Sequence, residues 1–382
     1  MKTEDSIDRC RLCGDDISSS LWVLHGMPRA AQNFLDVGDE LKTDELDLDI
    51  HQCGSCGLVQ LNIEPVYYYR EVIRAAAFSE QMAEFRRRQF KEFITSYGID
   101  GQRGVEVGCG GGEYLALLQD SGLRMTGIEY GEASVRSCQD KGFDVRRGFI
   151  EDSTQPPPGG GFAACFMFNF LEHLPRPNST LRGIADHLAV NGVGLIEVPN
   201  FDMIIKENMF TEFCSDHLLY FTRDTFTQIL SRNGFEVIEC KPIWYDYILS
   251  ATVRKRRPIP VANFEQALDD LSRSLNNFID RFEPRRVAIW GAGHQALAVM
   301  AVAQLAERIP YVIDSASFKQ GKITPATNIP IVPPDILEHE PPEAILVMAA
   351  GYSDEVVKTI RMNFGSRFEL AVLRGQHLDL NP

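Results

Sequence analysis

The chain has 382 residues, 44% of them hydrophobic and 24% charged, which is typical of a globular protein with a large buried core. This length exceeds what one hydrophobic core usually serves, so we expect two or three packed domains. The formal charge of −15 argues against a nucleic-acid partner, because a phosphate backbone would be repelled. The compact basic clusters, 86–88 and 254–257, are typical of solvated helix or linker faces.

The start of the chain carries charges throughout and lacks the apolar segment of a signal peptide. No apolar stretch is long enough to span a membrane. We therefore expect a cytoplasmic protein with no membrane partner, either a monomer or a small homo-oligomer. The nine cysteines, an odd number, indicate metal ligands or reduced thiols rather than a disulfide framework.

Two Cys-x-x-Cys pairs, Cys10 with Cys13 and Cys53 with Cys56, enclose short alternating apolar stretches that are typical of strands. Three interpretations are open: structural zinc, a thiol redox couple, or core cysteines without a ligand. Four thiolates match a closed tetrahedral Zn²⁺ site, whereas a redox pair usually stands singly at the start of a helix. The pairs therefore favour a zinc-binding β module over residues 1–62.

Residues 63–100 begin with aromatic residues and continue with an apolar stripe at helical spacing. The pattern predicts a helical, aromatic connector that contributes to the active site. The predicted stripe consists of Phe78, Met82, Phe85, Phe90 and Phe93.

Strand-like runs alternate with helical stretches over residues 101–260 and again over 261–382, which predicts two α/β units in series. The second unit opens with an amphipathic helix at 262–282. The apolar residues of that helix are Phe264, Leu268, Leu271, Leu275 and Phe278. The predicted strands are 104–107, 125–129, 165–170 and 194–198 in the first unit and 287–290, 310–314, 344–350 and 370–373 in the second.

The first strand of the 101–260 unit contains Glu106 and runs into a glycine-rich turn before a helix. The turn contains Gly108, Gly110 and Gly112. Glycines let a ligand lie against the backbone, and the free N–H groups of the helix favour an anionic group. The next strand ends in Glu129, where a carboxylate can accept hydrogen bonds from both ribose hydroxyls. An adenosine-type cofactor is predicted, with a nicotinamide dinucleotide as the alternative.

The order of segments in this unit resembles the class I methyltransferases, with a Rossmann-like core. That resemblance implies S-adenosylmethionine as cofactor, with Glu106 polarising the turn and Glu129 binding ribose. Phe149, Ile150 and Glu151 would border the adenine. The segment after the fourth strand contains two further residues expected at the cofactor, Asn169 and His173.

Asp216 and His217 lie beside each other shortly after the fifth predicted strand. A His next to an Asp is often a surface pair, but this position follows the strand edge where parallel sheets bind ligands. Imidazole has a pKa near 6.5 and is suited to general base catalysis. We therefore interpret this pair as part of the active site.

Over nearly its whole length the chain resembles the three-domain sugar C-methyltransferases, which methylate nucleotide-linked keto-deoxysugars. The shared features are the cysteine pairs, the aromatic segment at 67–70, the glycine turn, the 171–174 segment, the acid-His-x-x-Tyr-Phe pattern at 216–221 and a second Rossmann-like domain. The resemblance implies a small-molecule acceptor, C-methylated through an enolate. His217 beside Asp216 would be the base, and Tyr220 or Tyr69 would hydrogen-bond the enolate oxygen.

Three departures from that family bear on the acceptor. Asp216 stands where the family has Glu, Cys214 stands where it has a catalytic Tyr, and residues 247–251 replace a Gly-Gly-Ser stretch. These changes leave O- or N-methyl transfer to another metabolite as an alternative. A non-catalytic binding protein is a third interpretation.

The last domain repeats a cofactor-like turn at Gly291 and Gly293, but Ala296 replaces the third glycine of the dinucleotide spacing. The bulky His294 and Gln295 crowd the turn. This pattern favours a degenerate Rossmann-like unit over one that binds NAD, with Asp314 as a remnant or an acceptor contact.

Overall fold

The computed structural model describes residues 8–17, 20–32, 34, 45–71, 79–152, 154, 161–380 and 382. The chain divides into two compact units, Met1–Arg257 and Pro258–Pro382. Phe78 of the predicted apolar stripe lies outside the described residues. None of the helices in the described part of the chain is long and apolar enough to cross a membrane.

The first unit combines an antiparallel sheet with a larger mixed sheet. Its strands are β1 Ser20–Pro28, β2 Glu45–Gln52, β3 Val59–Leu61, β4 Arg103–Val107, β5 Arg124–Glu129, β6 Val145–Arg147, β7 Phe162–Phe168, β8 Leu188–Pro199, β9 Leu219–Tyr220, β10 Phe235–Ile243 and β11 Ile248–Lys255. Its helices are α1 Glu80–Tyr97, α2 Glu113–Asp120, α3 Glu132–Asp140, α4 Pro177–His187, α5 Phe201–Lys206 and α6 Arg223–Arg232.

The antiparallel sheet has the order β1-β2-β3-β9. Its last strand comes from the 101–260 region and follows the Asp216–His217 pair, with Val59 of β3 opposite Tyr220 of β9. Leu48 from this sheet packs in one apolar cluster with Phe201 of α5. The amino-terminal module is therefore built into the first unit rather than attached by a linker.

The larger sheet has the order β10-β11-β8-β7-β4-β5-β6. Strands β4 to β8 pair in parallel, as predicted, and β10 and β11 form an antiparallel hairpin at the β8 edge that was not predicted. The chain passes from β4 to its neighbour β5 on one side of β4, and later returns to β7, which lies on the other side of β4. Ligands of open α/β sheets bind at the carboxyl ends of the strands on either side of such a switch point.

Helix α1 begins after Ser79, whose hydroxyl accepts the backbone N–H of Met82, and ends at Gly98 with a φ of 60°. Phe90 and Phe93 are buried, as their spacing predicted. Arg86 is also fully buried and bonds Glu197 of β8 at 2.6 Å. The interpretation of 86–88 as a solvated cluster is therefore wrong at Arg86, because a buried carboxylate on the neighbouring strand compensates its charge.

The second unit is a smaller mixed sheet with helices. Its strands are β12 Val287–Trp290, β13 Val312–Ile313, β14 Ile331–Val332, β15 Ala344–Val347, β16 Glu369–Arg374 and β17 His377–Asp379. Its helices are α7 Ala262–Ile279, α8 His294–Val302, α9 Ile336–His339 and α10 Ser353–Phe364. The sheet order is β14-β13-β12-β15-β16-β17, parallel except for the edge strand β17.

The predicted amphipathic helix corresponds to α7. Leu271, Leu275 and Phe278 are buried, in agreement with the predicted stripe. Phe264 and Leu268 are 70% and 40% exposed, so the buried face occupies only the second half of the helix.

Candidate active site

The glycine-rich turn connects β4 to α2 at the switch point of the large sheet. Gly108, Gly110 and Gly112 have φ values of 74°, 53° and 81°, which L-residues with a Cβ rarely adopt. A Cβ at Gly112 would lie 3.0 Å from the Cys138 sulfur. The turn therefore depends on glycine both for its backbone conformation and for space, and Glu106 is buried just before it.

Glu129 ends β5 beside this turn. Its carboxylate accepts the backbone N–H of Gly110 at 2.9 Å, of Tyr130 at 2.9 Å and of Gly131 at 2.8 Å. The sequence placed an acid after the second strand, and the structure brings that acid into direct contact with the glycine turn.

The segment after β6 lies beside the aromatic connector. The Phe149 ring packs edge-on against Tyr69 with centroids 6.3 Å apart, and the Arg70 guanidinium lies over Phe149 at 5.2 Å. Ile150 is buried. Glu151 forms an ion pair with Arg176 at 2.6 Å, so its carboxylate already has a protein partner.

A cavity of about 460 Å³ opens where the glycine turn, the end of β7 and the 214–217 segment meet. Among the described residues, no lysine or arginine lines it, while four carboxyl side chains do. An acidic cavity of this kind favours cationic ligands. Its lining consists of Ala31, Gln32, Val66, Tyr68, Tyr69, Glu71, Ser79, Met82, Glu106, Gly108, Tyr114, Phe168, Asn169, Phe170, Glu172, His173, Pro199, Cys214, Asp216, His217, Trp244 and Tyr247.

Asp216 is held in place from three directions. Its carboxylate accepts the Ala31 backbone N–H at 2.7 Å and the Tyr68 hydroxyl at 2.9 Å. Its backbone carbonyl accepts a hydrogen bond from His173 Nδ1 at 2.8 Å. Since a carbonyl only accepts, Nδ1 carries the proton and a neutral His173 has its lone pair on Nε2.

His217 faces the cavity next to His173, with ring centroids 4.8 Å apart. Burial, reinforced by the neighbouring His173, lowers the pKa of His217 to about 3. Burial also lowers the pKa of His173, although its bond to the Asp216 carbonyl acts in the opposite direction. Both rings are thus neutral at physiological pH, and a neutral imidazole is the form that can accept a proton.

Of the two tyrosines predicted to bind an enolate, Tyr69 lines the cavity and Tyr220 does not. Tyr220 is 4% exposed, and its hydroxyl bonds both the N–H and the carbonyl of Cys214. Its phenol therefore braces the 214–217 segment, and the geometry does not support contact with an acceptor.

Sequence analysis missed two phenols at the cavity, Tyr68 and Tyr247. Tyr68 is the middle residue of a run in which Tyr67 is 79% exposed, and only the fold distinguishes their environments. Tyr247 lies in the β10–β11 turn and donates a hydrogen bond to Glu212.

Cys214, which replaces the family's tyrosine, also lines the cavity, and burial raises its pKa to about 11.

Sequence analysis also missed Glu172 as a site residue, although it directly precedes His173. Glu172 lies in the 3₁₀ turn Leu171–His173, which follows β7. Its side chain is 1% exposed, and burial raises its pKa to about 8. Glu172, His173 and His217 each offer one donor atom, and these atoms lie within 4.8 Å of one another.

The four cysteines of the two pairs converge in the amino-terminal module. Cys10 Sγ lies 3.4 Å from Cys56 Sγ, and Cys13 Sγ lies 3.4 Å from Cys53 Sγ. All four sulfurs are within 4.8 Å of one another. Zinc–sulfur bonds of about 2.3 Å place tetrahedral sulfurs about 3.8 Å apart, so this arrangement fits Zn²⁺ closely.

The turn of the second unit has its own cavity of about 580 Å³. Asp314 occupies the position that Glu129 has in the first unit. Its carboxylate accepts the Ala292 and Ala316 N–H groups and the Lys319 ammonium at 2.8, 2.9 and 2.8 Å. Asp314 thus accepts two backbone N–H groups and one ammonium, whereas the three donors to Glu129 are all backbone N–H groups.

Comparisons with known proteins agree with this geometry. Residues 78–240 match the methyltransferase domain, and residues 253–372 match the C-methyltransferase C-terminal domain. The chain is 24% identical to the C-methyltransferase NovU of Streptomyces niveus, across 95% of this chain and 94% of that protein.

Two further similarities cover only part of the chain. A ubiquinone biosynthesis O-methyltransferase of Marinobacter nauticus is 32% identical across 25% of this chain and 42% of its own length. An S-adenosylmethionine-dependent methyltransferase structure from Mesorhizobium loti has 13% identity and a TM-score of 0.36, covering 43% of this chain and 96% of that one.

The fold, the glycine turn with its acid and the matched domain define an S-adenosylmethionine-dependent methyltransferase with a class I core. The chain is similar to NovU along both units, and its second unit matches the C-methyltransferase C-terminal domain. This similarity agrees with the prediction from the sequence, a methyltransferase with a small-molecule acceptor.

Proposed function

We propose that this enzyme C-methylates a carbonyl compound through an enolate, and that the compound is a nucleotide-linked keto-sugar. The observation that carries the proposal is the position of the His217 imidazole at the cavity, packed against His173 and next to a carboxylate fixed by Tyr68 and Ala31. Methyl transfer to an oxygen or nitrogen that is already nucleophilic depends mainly on alignment. A positioned base is needed when the nucleophile is a carbon.

S-adenosylmethionine supplies the electrophilic methyl group when it is bound. Glu129 would accept hydrogen bonds from the ribose hydroxyls of the cofactor. The glycines of the turn, Gly108, Gly110 and Gly112, would let the cofactor lie against the backbone, near Glu106. The neighbouring Phe149, Ile150, Glu151, Asn169 and His173 complete the proposed cofactor contacts. Glu151 would act mainly through its ion pair with Arg176, which fixes the segment.

His217 removes the proton next to the ketone, and the electron pair of that C–H bond moves into the enolate. The enolate carbon would then bond to the methyl group that the bound cofactor supplies, and the electron pair of the broken C–S bond would stay with the cofactor. A hydrogen bond to the enolate oxygen stabilises the charge that develops there. Tyr69 lines the cavity and can donate that bond, because its hydroxyl only accepts from Arg70, whereas the Tyr247 hydroxyl donates to Glu212 and Tyr220 acts as a brace.

We also propose that Cys10, Cys13, Cys53 and Cys56 hold one structural Zn²⁺. The sulfur separations fit a tetrahedral site, and four thiolates leave no open position for catalysis. None of the nine cysteines, all of which lie in the described part of the chain, forms a disulfide, which supports a cytoplasmic location for the enzyme. We expect a monomer or a small homo-oligomer.

O-methyl transfer is the second candidate, favoured by O-methyltransferase relatives that match about a quarter to a third of the chain. Hydrogen exchange separates the two functions. With adenosylhomocysteine in place of the methyl donor, a thymidine-diphosphate 4-keto-deoxysugar in D₂O should gain deuterium next to the ketone, and His217→Asn should abolish the gain. Methyl transfer to oxygen without any deuterium uptake would establish the second candidate.

A further inference from the structure

The hairpin turn between β10 and β11 has an unusual backbone. Trp244, Tyr245 and Asp246 follow one another with φ values of 48°, 58° and 63°, a left-handed conformation that residues with bulky side chains rarely adopt. Successive residues in this conformation persist only where the surrounding structure fixes them, and such strain concentrates at sites that bind ligands. The turn is therefore a candidate for a function beyond joining two strands.

Hydrogen bonds from two neighbouring segments hold this turn in place. The backbone N–H of Asn200 donates to the Tyr247 carbonyl at 2.8 Å, and the Asn200 side-chain amide donates to the Asp246 carbonyl at 2.7 Å. The Tyr247 hydroxyl donates to Glu212, which lies five residues before His217. The turn is thus tied both to the end of β8 and to the segment that carries the proposed base.

The turn contributes one large apolar side chain to the cavity. The Trp244 indole lines the cavity, and Phe85 of α1 packs against it with ring centroids 5.3 Å apart. Met82 lies three residues before Phe85, on the same face of α1, and also lines the cavity. Pro199, which pairs with the first residue of β11, lines it too. We call Trp244, Met82 and Pro199 the apolar wall of the cavity.

We propose that Trp244 determines which ring the enzyme accepts, by packing its indole against the C–H face of the keto-sugar while His217 removes the proton beside the ketone. This inference rests on the proposed function and adds a specificity-determining residue to it. The face of an indole is partly negative and attracts the slightly positive C–H hydrogens of a deoxygenated ring. A ring hydroxyl directed at the apolar wall would lose its water without gaining a hydrogen-bond partner, so the wall disfavours a fully hydroxylated sugar.

The test compares Trp244→Ala and Trp244→Phe with wild type by calorimetry on adenosylhomocysteine-loaded enzyme, with a thymidine-diphosphate 4-keto-6-deoxysugar as the probe. We expect Trp244→Ala to weaken sugar binding about 10- to 50-fold, and Trp244→Phe, which keeps an aromatic face, to stay within about fivefold of wild type. In steady-state kinetics the loss should appear in KM, with kcat changed less than about fivefold, because His217 is intact. Thymidine diphosphate without the sugar should bind wild type and Trp244→Ala with affinities within about twofold of each other.

Tyr245→Ala is the matched control, because Tyr245 shares the left-handed backbone of the turn but is 75% exposed and does not line the cavity. It should change sugar binding less than about threefold. An equal loss in Tyr245→Ala would overturn the inference, since it would assign the effect to the turn and not to the indole. Equal losses for thymidine diphosphate and the sugar would overturn it in favour of a nucleotide contact, and a matching fall in adenosylhomocysteine affinity would overturn it in favour of a cofactor contact.

A fluorescence titration makes the test independent of whether Trp244→Ala folds. Tryptophan emission should change when the keto-sugar is added to wild type, and this change should be absent in Trp244→Phe. An equal change in both proteins would overturn the inference. If wild type exchanges the hydrogen next to the ketone but Trp244→Ala binds the sugar as tightly as wild type, the inference fails while the proposed function stands. If wild type incorporates no deuterium there, the proposed function fails and the inference fails with it.

Discussion

The Tyr68 hydroxyl donates a 2.9 Å hydrogen bond to the carboxylate of Asp216, across 148 positions of sequence. The same hydroxyl accepts the backbone N–H of Gln32 at 3.1 Å. One phenol thus joins the amino-terminal module, the aromatic connector and the segment that carries His217. The position of the base depends on all three.

Tyr68→Phe should lower kcat about 5- to 30-fold, because one hydrogen bond to a charged group is lost and Asp216 is held less firmly. Adenosylhomocysteine affinity should stay within about twofold, since the Tyr68 hydroxyl bonds Asp216 and Gln32 rather than the glycine turn. Steady-state kinetics and calorimetry on the same preparation measure both. Tyr67→Phe is the control, because Tyr67 is 79% exposed. An equal effect of the two substitutions would remove Tyr68 from the site.

His217→Asn should lower kcat by roughly 10²- to 10⁴-fold, the usual contribution of positioned proton transfer. Cofactor affinity should change less than about twofold. A variant that keeps more than half of wild-type turnover would make His217 a structural residue. The O-transfer function would then gain support, and His173, Tyr69 and Tyr247 would be the next residues to test.

The pH profile should lack the acid limb expected of a free imidazole. Because burial lowers the pKa of His217 to about 3, the base stays unprotonated as pH falls through the ordinary value of 6.5, and activity is lost only near the lowered pKa. His217 should therefore give no inflection in kcat at saturating substrate between pH 8 and pH 5.5, while Glu172, whose pKa burial raises to about 8, titrates within that range. An exposed imidazole would lose about tenfold over that range. An inflection in kcat near pH 6.5 that disappears in His217→Asn would contradict this prediction, because it would show that the His217 imidazole is exposed to solvent.

Glu129→Ala should weaken S-adenosylmethionine binding by about 1–3 kcal/mol, because ribose hydroxyls lose a charged partner. The three backbone N–H groups that Glu129 accepts would also lose their partner, so the turn itself should loosen. Calorimetry measures the affinity, and Glu132→Ala, an exposed carboxyl at the start of α3, is the control. Unchanged affinity in Glu129→Ala would contradict the ribose assignment.

Cys53→Ser or Cys56→Ser should release about one zinc per chain, measured by elemental analysis. Because β3 follows the second cysteine pair and pairs with β9, we expect metal loss to reduce turnover as well as the melting temperature. Cys240→Ser, a cysteine outside the cluster, should retain the metal. Intact protein that contains no zinc would exclude the thiolate site.

Local chemistry made several features predictable from the sequence. The glycines of the turn are needed for its left-handed backbone conformation. A strand-turn-helix followed by an acid at the end of the next strand is typical of a site for an adenosine-type cofactor. Cysteine spacing predicted a cluster, and apolar periodicity predicted α1 and α7. The Asp216–His217 pair was located by its position after a strand. Each of these signals lies within a short window of the chain.

Only the tertiary structure decided which side chains reach the cavity. Tyr68, Glu172 and Tyr247 come from a connector, a 3₁₀ turn and a hairpin turn, and no local pattern distinguishes Tyr68 from Tyr67. Tyr220 looked suitable in sequence but bonds the Cys214 backbone. Burial likewise moves the pKa of His217 away from its ordinary value, and burial is set by contacts between residues far apart in the chain.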